Sequence, residues 1–371
     1  MLSIAVVSNN RNKYSETFIH TQVAKLPADV HLLYGGYLPV MHGNDQPLSL
    51  KKLLKHQLFG LSQKQATVLL KKCIKAYLKK NNIQAVLSQY GPSGVAMMDI
   101  CQEMNIPLIV HFHGFDAYRE DILRDFGGEY PALFETATAI CVSTDMQRQL
   151  LKLGAKPEVL RLIPYGVDTE LFKPGRAKMY HPVFMACGRF VPKKAPHLTI
   201  RAFAETIKKV PDARLVMIGE GELLPSCRSL ADSLGIAHAV DFRGILTQNE
   251  IADLLQQTLV FVQHSVRCSN GDVEGLPLAI LEAGASGVPV VATRHTGILE
   301  AVEEGKTGFL IEEGDTAAMA DYMTCLAQNP VLAAKMGEAA RQRVCLIYNE
   351  DRYMKELWDI ILKRISTKNI A

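Results

Sequence analysis

Residues 271–291 read GDVEGLPLAILEAGASGVPVV, a loop, a helix and the start of a strand in one short run. Gly275 and Pro277 mark a helix start, because proline is tolerated in a first turn whose N–H groups lack partners anyway. The following LAILEAGA is helical in pattern and almost wholly apolar, so the helix is expected to be buried. VPVVAT after it reads as a buried strand. A buried helix N-terminus offers unpaired N–H groups and the positive end of a dipole, a setting that suits phosphate oxygens. Glu274 and Glu282 flank it, up to ~12 Å apart along the axis at ~1.5 Å rise per residue. That is the reach from a ribose, past a diphosphate, to a sugar, with one carboxylate available to the hydroxyls at each end. Most glutamate pairs are solvated helix charges. Glu282, however, stands inside an apolar run, where a free charge is costly.

The same alternation extends in both directions. SIAVVS, VHLLYGG, AVLSQY, LIVHFH, AICVS and LRLIPYG are strand candidates in the first half. VFMACG, RLVMIGEG, VDFRG, LVFVQHS, VPVVAT and TGFLIE follow in the second. Helical patterns such as HLTIRAFAETIKKV and TAAMADYMTCLAQNP lie between them. Strands alternating with helices predict an α/β protein with parallel sheets. The break falls in YGVDTELFKPGRAKMYHP, rich in Pro, Gly and charge. Two Rossmann-like domains are therefore expected, 1–170 and 177–351, facing a central cleft, with an amphipathic segment at 352–371. Open sheets of this kind bind ligands at the carboxyl ends of their strands.

A chain of 371 residues, 48% hydrophobic and 21% charged, fits two ordinary globular domains. The formal net charge of +3 is too small to argue for nucleic acid. Eight scattered cysteines without a C-x-x-C pair read as reduced core residues, so a cytoplasmic location is expected. MLSIAVVSNN lacks the charged flank and longer apolar core of a signal peptide. No run approaches the ~20 apolar residues that span a bilayer.

Candidate functional residues fall in strand-to-helix loops. Arg189 and Lys194, in GRFVPKK, can clasp a diphosphate and neutralise the charge that grows as it leaves; Lys193 is the alternative if the register slips by one. His111 and His113 face the same way on a strand end and could ligate a metal with Asp116, but no further cluster accompanies them, and no metal is expected. In NNRNKYSETFIH, Ser15 can be read as an N-cap with Glu16 in the first turn, or Glu16 as a group that binds substrate hydroxyls. GEGELL, with Gly219, Glu220 and Gly221, is a tight turn but not a dinucleotide fingerprint, so a nicotinamide cofactor is poorly supported. Residues 46–98 hold nine lysines and no Asp, Glu or Arg. Over 51–80 they form a solvated helix face or a basic amphipathic surface for anionic lipid.

With EGLP, the small-residue run AGASG and the strand VPVVAT, the E-x7-E pattern of Glu274 and Glu282 resembles the signature of retaining glycosyltransferases of the GT-B fold, particularly glycosyltransferase family 4. The resemblance implies that Glu274 contacts the donor sugar and Glu282 the nucleotide ribose, with Gly275, Leu276 and Pro277 forming the wall beside them. It places Arg189 and Lys194 at the diphosphate, Gly219 near the nucleotide, and the backbone of Arg243-Gly244 facing the base. His113 matches a histidine beside the transferred sugar, for positioning and charge stabilisation and not as a general base. PYGVD and TELFKP resemble an interdomain segment, and the final helix is expected to return onto the first domain. The first loop departs from the family's glycine-rich form. Its S-E-T-F resembles a subgroup that assembles exopolysaccharides and lipid-linked oligosaccharides, which would make Ser15 and Glu16 acceptor ligands.

The implied reaction is transfer of a hexosyl group from a nucleoside-diphosphate sugar to a glycan or polyprenyl-linked saccharide, without cofactor or metal. UDP and GDP both remain open, and peripheral membrane contact is an expectation. Two alternatives stand beside it, a nucleotide-sugar 2-epimerase of similar fold and a non-catalytic sugar-nucleotide-binding protein.

Overall fold

The computed structural model describes residues 1–11, 14–48, 62–175 and 182–368. They form two compact units, Met1–Ile163 with Met354–Ala371, and Pro164–Tyr353.

In the first unit the strands are β1 (Ser3–Ser8), β2 (Asp29–Tyr34), β3 (Met41–His42), β4 (Gln46–Pro47), β5 (Ala85–Gln89), β6 (Leu108–His111), β7 (Ala137–Cys141) and β8 (Leu160–Leu162). Their spatial order is β4-β3-β2-β1-β5-β6-β7-β8. β1 is central and parallel to both neighbours, Ile4 pairing with Val30 on one side and Ala85 on the other. β5, β6 and β7 are buried at every position, as strands must be when helices cover both faces of a sheet. β3 and β4 are antiparallel additions at one edge. Two residues each give no readable alternation, and the sequence pattern did not disclose them.

The second unit holds β9 (Val183–Cys187), β10 (Arg214–Ile218), β11 (Val240–Gly244), β12 (Val260–Gln263), β13 (Val290–Thr293) and β14 (Gly308–Ile311). Their order is β11-β10-β9-β12-β13-β14, parallel throughout. Phe184 on β9 faces Leu215 on one side and Val260 on the other. All three are buried in a core completed by Phe203, Met319 and Met323 from the flanking helices Pro196–Lys209 and Thr316–Gln328. The strand order reverses between β9 and β12, so the loops after Cys187 and Gln263 diverge at the sheet's switch point.

The boundary lies earlier than the expected end of the first domain at 170, because the segment from Pro164 onward is tied into the second unit. Val167 bridges Asn349 and bonds Tyr348 and Glu350 through its backbone. Arg341 gathers the carbonyls of Thr169, Phe172 and Ala285 at 2.6–2.9 Å, and Phe172 is buried. The helix Glu350–Lys368 starts in this unit, and from Met354 onward it counts with the first, where Arg364 donates to the Thr136 carbonyl at 3.4 Å.

Candidate active site

In the second unit the helix after the glycine-proline loop runs over Leu278–Ala285, with Pro277 as its N-cap, one position before the expected first turn. The N–H groups of Gly275, Leu276, Leu278 and Ala279 have no acceptor among the described residues. The last two are orphan donors of the helix start, and the first two belong to the loop before its N-cap. Glu274 precedes them and is buried. Lys194 Nζ lies 3.0 Å from its Oε2 and Lys193 Nζ 3.7 Å from its Oε1. Burial alone would raise its pKa; Lys194 and then Lys193 more than reverse this, holding the carboxyl at about 2. Oε1 accepts no hydrogen bond from the described residues. A charged, desolvated carboxylate oxygen without a donor is costly unless something supplies one.

Glu282 is equally buried but has no cation or donor among the described residues, and burial pushes it up to about 7. The two carboxylates therefore differ in environment, one held toward the anion by lysines, the other pushed toward the protonated form by burial.

Lys193, named only as the alternative, proves to be the second cation. It is buried, 3.1 Å from Asp272 Oδ1, and donates to the Val273 carbonyl at 3.0 Å. Ala195, immediately after Lys194, takes φ +36° in the left-handed region. A non-glycine residue there is strained, and the turn it makes brings both lysines under the Glu274 loop. Arg189 is partly exposed and has no acidic partner among the described residues, so its guanidinium is open to an anion. Arg189 and Lys194 line a cavity with Gly188, Cys187, Gln263 and His264. Gly219 takes φ +125°, and a Cβ there would stand 2.2 Å from the Gly188 carbonyl oxygen, so only glycine lets the two loops meet. The Arg243 side chain turns onto Asp241 and is half exposed; its neighbour Gly244 accepts from the Gly219 N–H at 2.7 Å.

The sequence reading missed the loop after β13. His295 Nε2 accepts the Glu274 N–H at 3.1 Å, and Thr296 Oγ1 donates to the Glu274 carbonyl at 2.5 Å. Gly297 sits against Gly275, where a Cβ would fall 1.9 Å from the carbonyl oxygen. The available signal was H-T-G at the end of a buried strand, the position where open sheets carry ligands.

In the first unit, Glu16 is buried and accepts from Tyr90 Oη at 2.9 Å and Asn10 Nδ2 at 3.4 Å. Asn10 follows β1 and Tyr90 follows β5, the two strands between which this sheet's order reverses. Glu16 itself is the N-cap of the helix Thr17–Lys25 and makes no side-chain cap bond, which corrects the reading of Ser15 as the cap. Tyr90 takes φ +72°, another strained residue at a loop that carries candidate groups.

His113 lies beside Phe18, Tyr90 and His111, with ring centroids 4.4, 4.8 and 4.3 Å away. Its Nε2 meets Gln89 Oε1 at 2.8 Å, Gln89 Nε2 donates to Gln22 Oε1 at 2.6 Å, and Gln22 Nε2 meets His111 Nδ1 at 3.2 Å. The glutamine oxygens can only accept, so His113 carries its proton on Nε2 and His111 accepts on Nδ1. Burial lowers both histidines, His111 to about 3 and His113 well below its ordinary value with His111 adding to the effect. Neutral rings of this kind position by hydrogen bonding and ring contact.

Asp116 is tied to the backbone of the loops around it. Its carboxylate accepts the backbone N–H groups of His113, Gly114 and Gly91 at 2.9–3.0 Å, and burial still raises it to about 6. Among the described residues, no three His, Cys, Asp or Glu side chains gather as a metal site. No helix among them is long and apolar enough to cross a membrane.

Comparisons with known proteins bear on the family and the fold. The family model "Glycosyltransferase Family 4" matches residues 21–171, and "Glycosyl transferases group 1" matches 167–343. The amylovoran biosynthesis glycosyltransferase AmsK of Erwinia amylovora is 28% identical over 67% of this chain and 62% of its own length. A GDP-mannose-dependent alpha-(1-6)-phosphatidylinositol monomannoside mannosyltransferase of Mycolicibacterium smegmatis is 37% identical over 49% of this chain and 50% of its own. The matched region thus spans less than two thirds of either relative. Among solved structures, a sucrose-phosphate synthase of Thermosynechococcus elongatus superposes with a TM-score of 0.78 at 19% identity, covering 99% of this chain and 100% of that one. Anabaena HepE in complex with UDP and glucose gives 0.77 at 16% identity, covering 98% and 100%. Those two establish the GT-B fold. With both of its halves matched by the models, the chain belongs to glycosyltransferase family 4.

Proposed function

We propose that this glycosyltransferase moves a hexosyl group from a nucleoside-diphosphate sugar to a hydroxyl of a glycan or lipid-linked saccharide, with retention of configuration, in cell-surface polysaccharide synthesis. The observation that carries the reading is Glu274, a buried carboxylate kept ionised by two lysines while Oε1 lacks a donor. Sugar hydroxyls are donors of the required kind. Lys194, Arg189 and the unpaired N–H groups around the helix start stabilise the departing diphosphate, and Glu282 accepts from the ribose. The acceptor hydroxyl attacks on the face the leaving group vacates, its proton passing to a donor phosphate oxygen, so no side chain serves as base. His113 orients the sugar as a neutral ring, and Glu16 and Ser15 serve the acceptor. The cations present make a divalent metal unnecessary in this reading, and full activity in chelator tests that point.

A panel of UDP- and GDP-linked sugars, with and without saccharide acceptors, tests the assignment. The expected result is nucleoside diphosphate release that depends on acceptor. Release of epimerised nucleotide sugar without acceptor would support the epimerase instead.

A further reading concerns the membrane. Lys51, Lys52 and Lys55 lie outside the described residues. On the helix Gln63–Lys80, Lys71 and Lys75 are paired with Asp99 and Glu103, leaving Lys64, Lys72, Lys79 and Lys80 exposed. We propose weak, salt-sensitive contact with anionic lipid through these four, at up to ~1 kcal/mol per lysine. No flotation with anionic liposomes at low salt would remove it.

A further inference from the structure

We propose that Glu313 is a positioning residue for Glu274, acting through His295. The inference rests on the reading of Glu274 as the donor-sugar ligand. Glu313 follows β14 in the short loop 312–315, and three bonds fix that loop across the strand ends of the sheet. Gly314 N–H donates to His264 Nε2 at 2.8 Å, the Arg267 N–H donates to Glu313 Oε2 at 2.9 Å, and Glu313 Oε1 meets His295 Nδ1 at 2.5 Å. The Glu274 N–H can only donate, so His295 Nε2 is the accepting, lone-pair nitrogen and the ring proton is on Nδ1, facing Glu313 Oε1. The Thr296 hydroxyl holds the carbonyl of the same residue, so both backbone groups of Glu274 are clamped from one loop.

The consequence is a fixed peptide plane at the residue whose side chain meets the sugar. It also sets the direction of the Gly275 N–H, which shares a peptide with the held Glu274 carbonyl and which no described residue accepts. If the Glu313 acceptor is lost, the buried His295, 2% exposed, has nothing to hold its Nδ1 proton. The alternative tautomer turns an N–H toward the Glu274 N–H. Two donors then face one another and the peptide must rotate. Glu313 does not touch substrate in this account. It selects a tautomer, and the tautomer selects the orientation of Glu274.

Two variants and one spectroscopic measurement test this in the full chain. Glu313→Leu is expected to lower kcat/KM at least ~10-fold. Glu313→Gln keeps an amide oxygen for Nδ1 but turns its NH2 toward the Arg267 N–H, and is expected to fall between the parent and Glu313→Leu. Long-range 15N–1H correlation of the unmodified enzyme should show His295 as the Nδ1–H tautomer, a readout that does not depend on any variant folding. Near-normal turnover in Glu313→Leu, or an Nε2–H tautomer in the parent, would each overturn the proposal. Glu274→Ala separates the two levels. If it retains activity, the donor-site reading itself fails; if it is inactive while Glu313→Leu is normal, only the positioning role fails.

Discussion

Replacing Lys194 by methionine removes the closer of the two cations on Glu274 while keeping most of the side chain's bulk. The carboxyl is held near 2 against an ordinary value of 4.5, a depression of ~2.5 units at about 1.4 kcal/mol per unit. That is ~3 kcal/mol of stability at neutral pH. Because the folded value is depressed, the contribution is complete above 4.5, the unfolded value, and is lost as pH falls through about 2. Lys194 stands at 3.0 Å, whereas Lys193 at 3.7 Å also serves Asp272 and the Val273 carbonyl. Lys194 should therefore supply more than half. Lys194→Met is expected to cost ~2 kcal/mol in urea unfolding at pH 7, below the ~3–5 kcal/mol of a fully broken buried pair because Lys193 stays. Glu274→Gln should cost a similar amount, and the double variant less than the sum, with a coupling of ~1–2 kcal/mol. Amide exchange at Val183–Cys187 would follow the second unit specifically. Turnover should fall at least ~100-fold in either single variant. A coupling below ~0.3 kcal/mol, or Lys194→Met enzyme turning over normally, would show that this ion pair is not the centre of the site.

Three further outcomes are expected. Gly297→Ala should lower kcat/KM more than ~10-fold and reduce Tm, since its Cβ would meet the Gly275 carbonyl oxygen at 1.9 Å; unchanged kinetics would mean the loops do not need this contact. Glu282→Gln should raise the Kd for nucleoside diphosphate ~10-fold at pH 8 while turnover at saturating donor stays within ~3-fold, and equal loss in both would remove the ribose assignment. Acid should loosen the first unit early. His111 and His113 are depressed in the folded state, so unfolded chains bind more protons, and stability is whole above ~6.5 and lost as pH falls toward about 3. His111→Gln should flatten that decline between pH 6 and 4 in thermal melts.

Twelve strands could be read from apolar runs because parallel strands buried on both faces spell out nearly continuous Val, Ile, Leu and Ala. LAILEAGA matched its helix, Leu278–Ala285, end to end, since the glycine-proline loop before it and the Ser286-Gly287 turn after it punctuate clearly. Glu274 and Lys194 were legible from pattern, but their partnership was not. Eighty residues of chain separate them, and only the β9–β12 pairing brings their loops together. Lys193 was named only as the alternative for a related reason: that both adjacent lysines reach one carboxylate depends on the left-handed turn at Ala195, which no residue type announces. Ser15 failed as a cap because Glu16 is drawn inward by Tyr90 and Asn10, a tertiary demand that overrides the local preference for serine. His295 and Glu313 act through a tautomer, and tautomers leave no trace in a sequence.

The burial of Glu282 has a thermodynamic corollary, because it pushes the carboxyl up to about 7. Ribose hydroxyls donate to its ionised form, so a nucleotide that seats there pulls the carboxyl toward the anion and expels a fraction of a proton per molecule near neutrality. Calorimetric heats of titration should then depend on the buffer, differing between phosphate and Tris by a fraction of their ionisation enthalpies, and the dependence should vanish in Glu282→Gln.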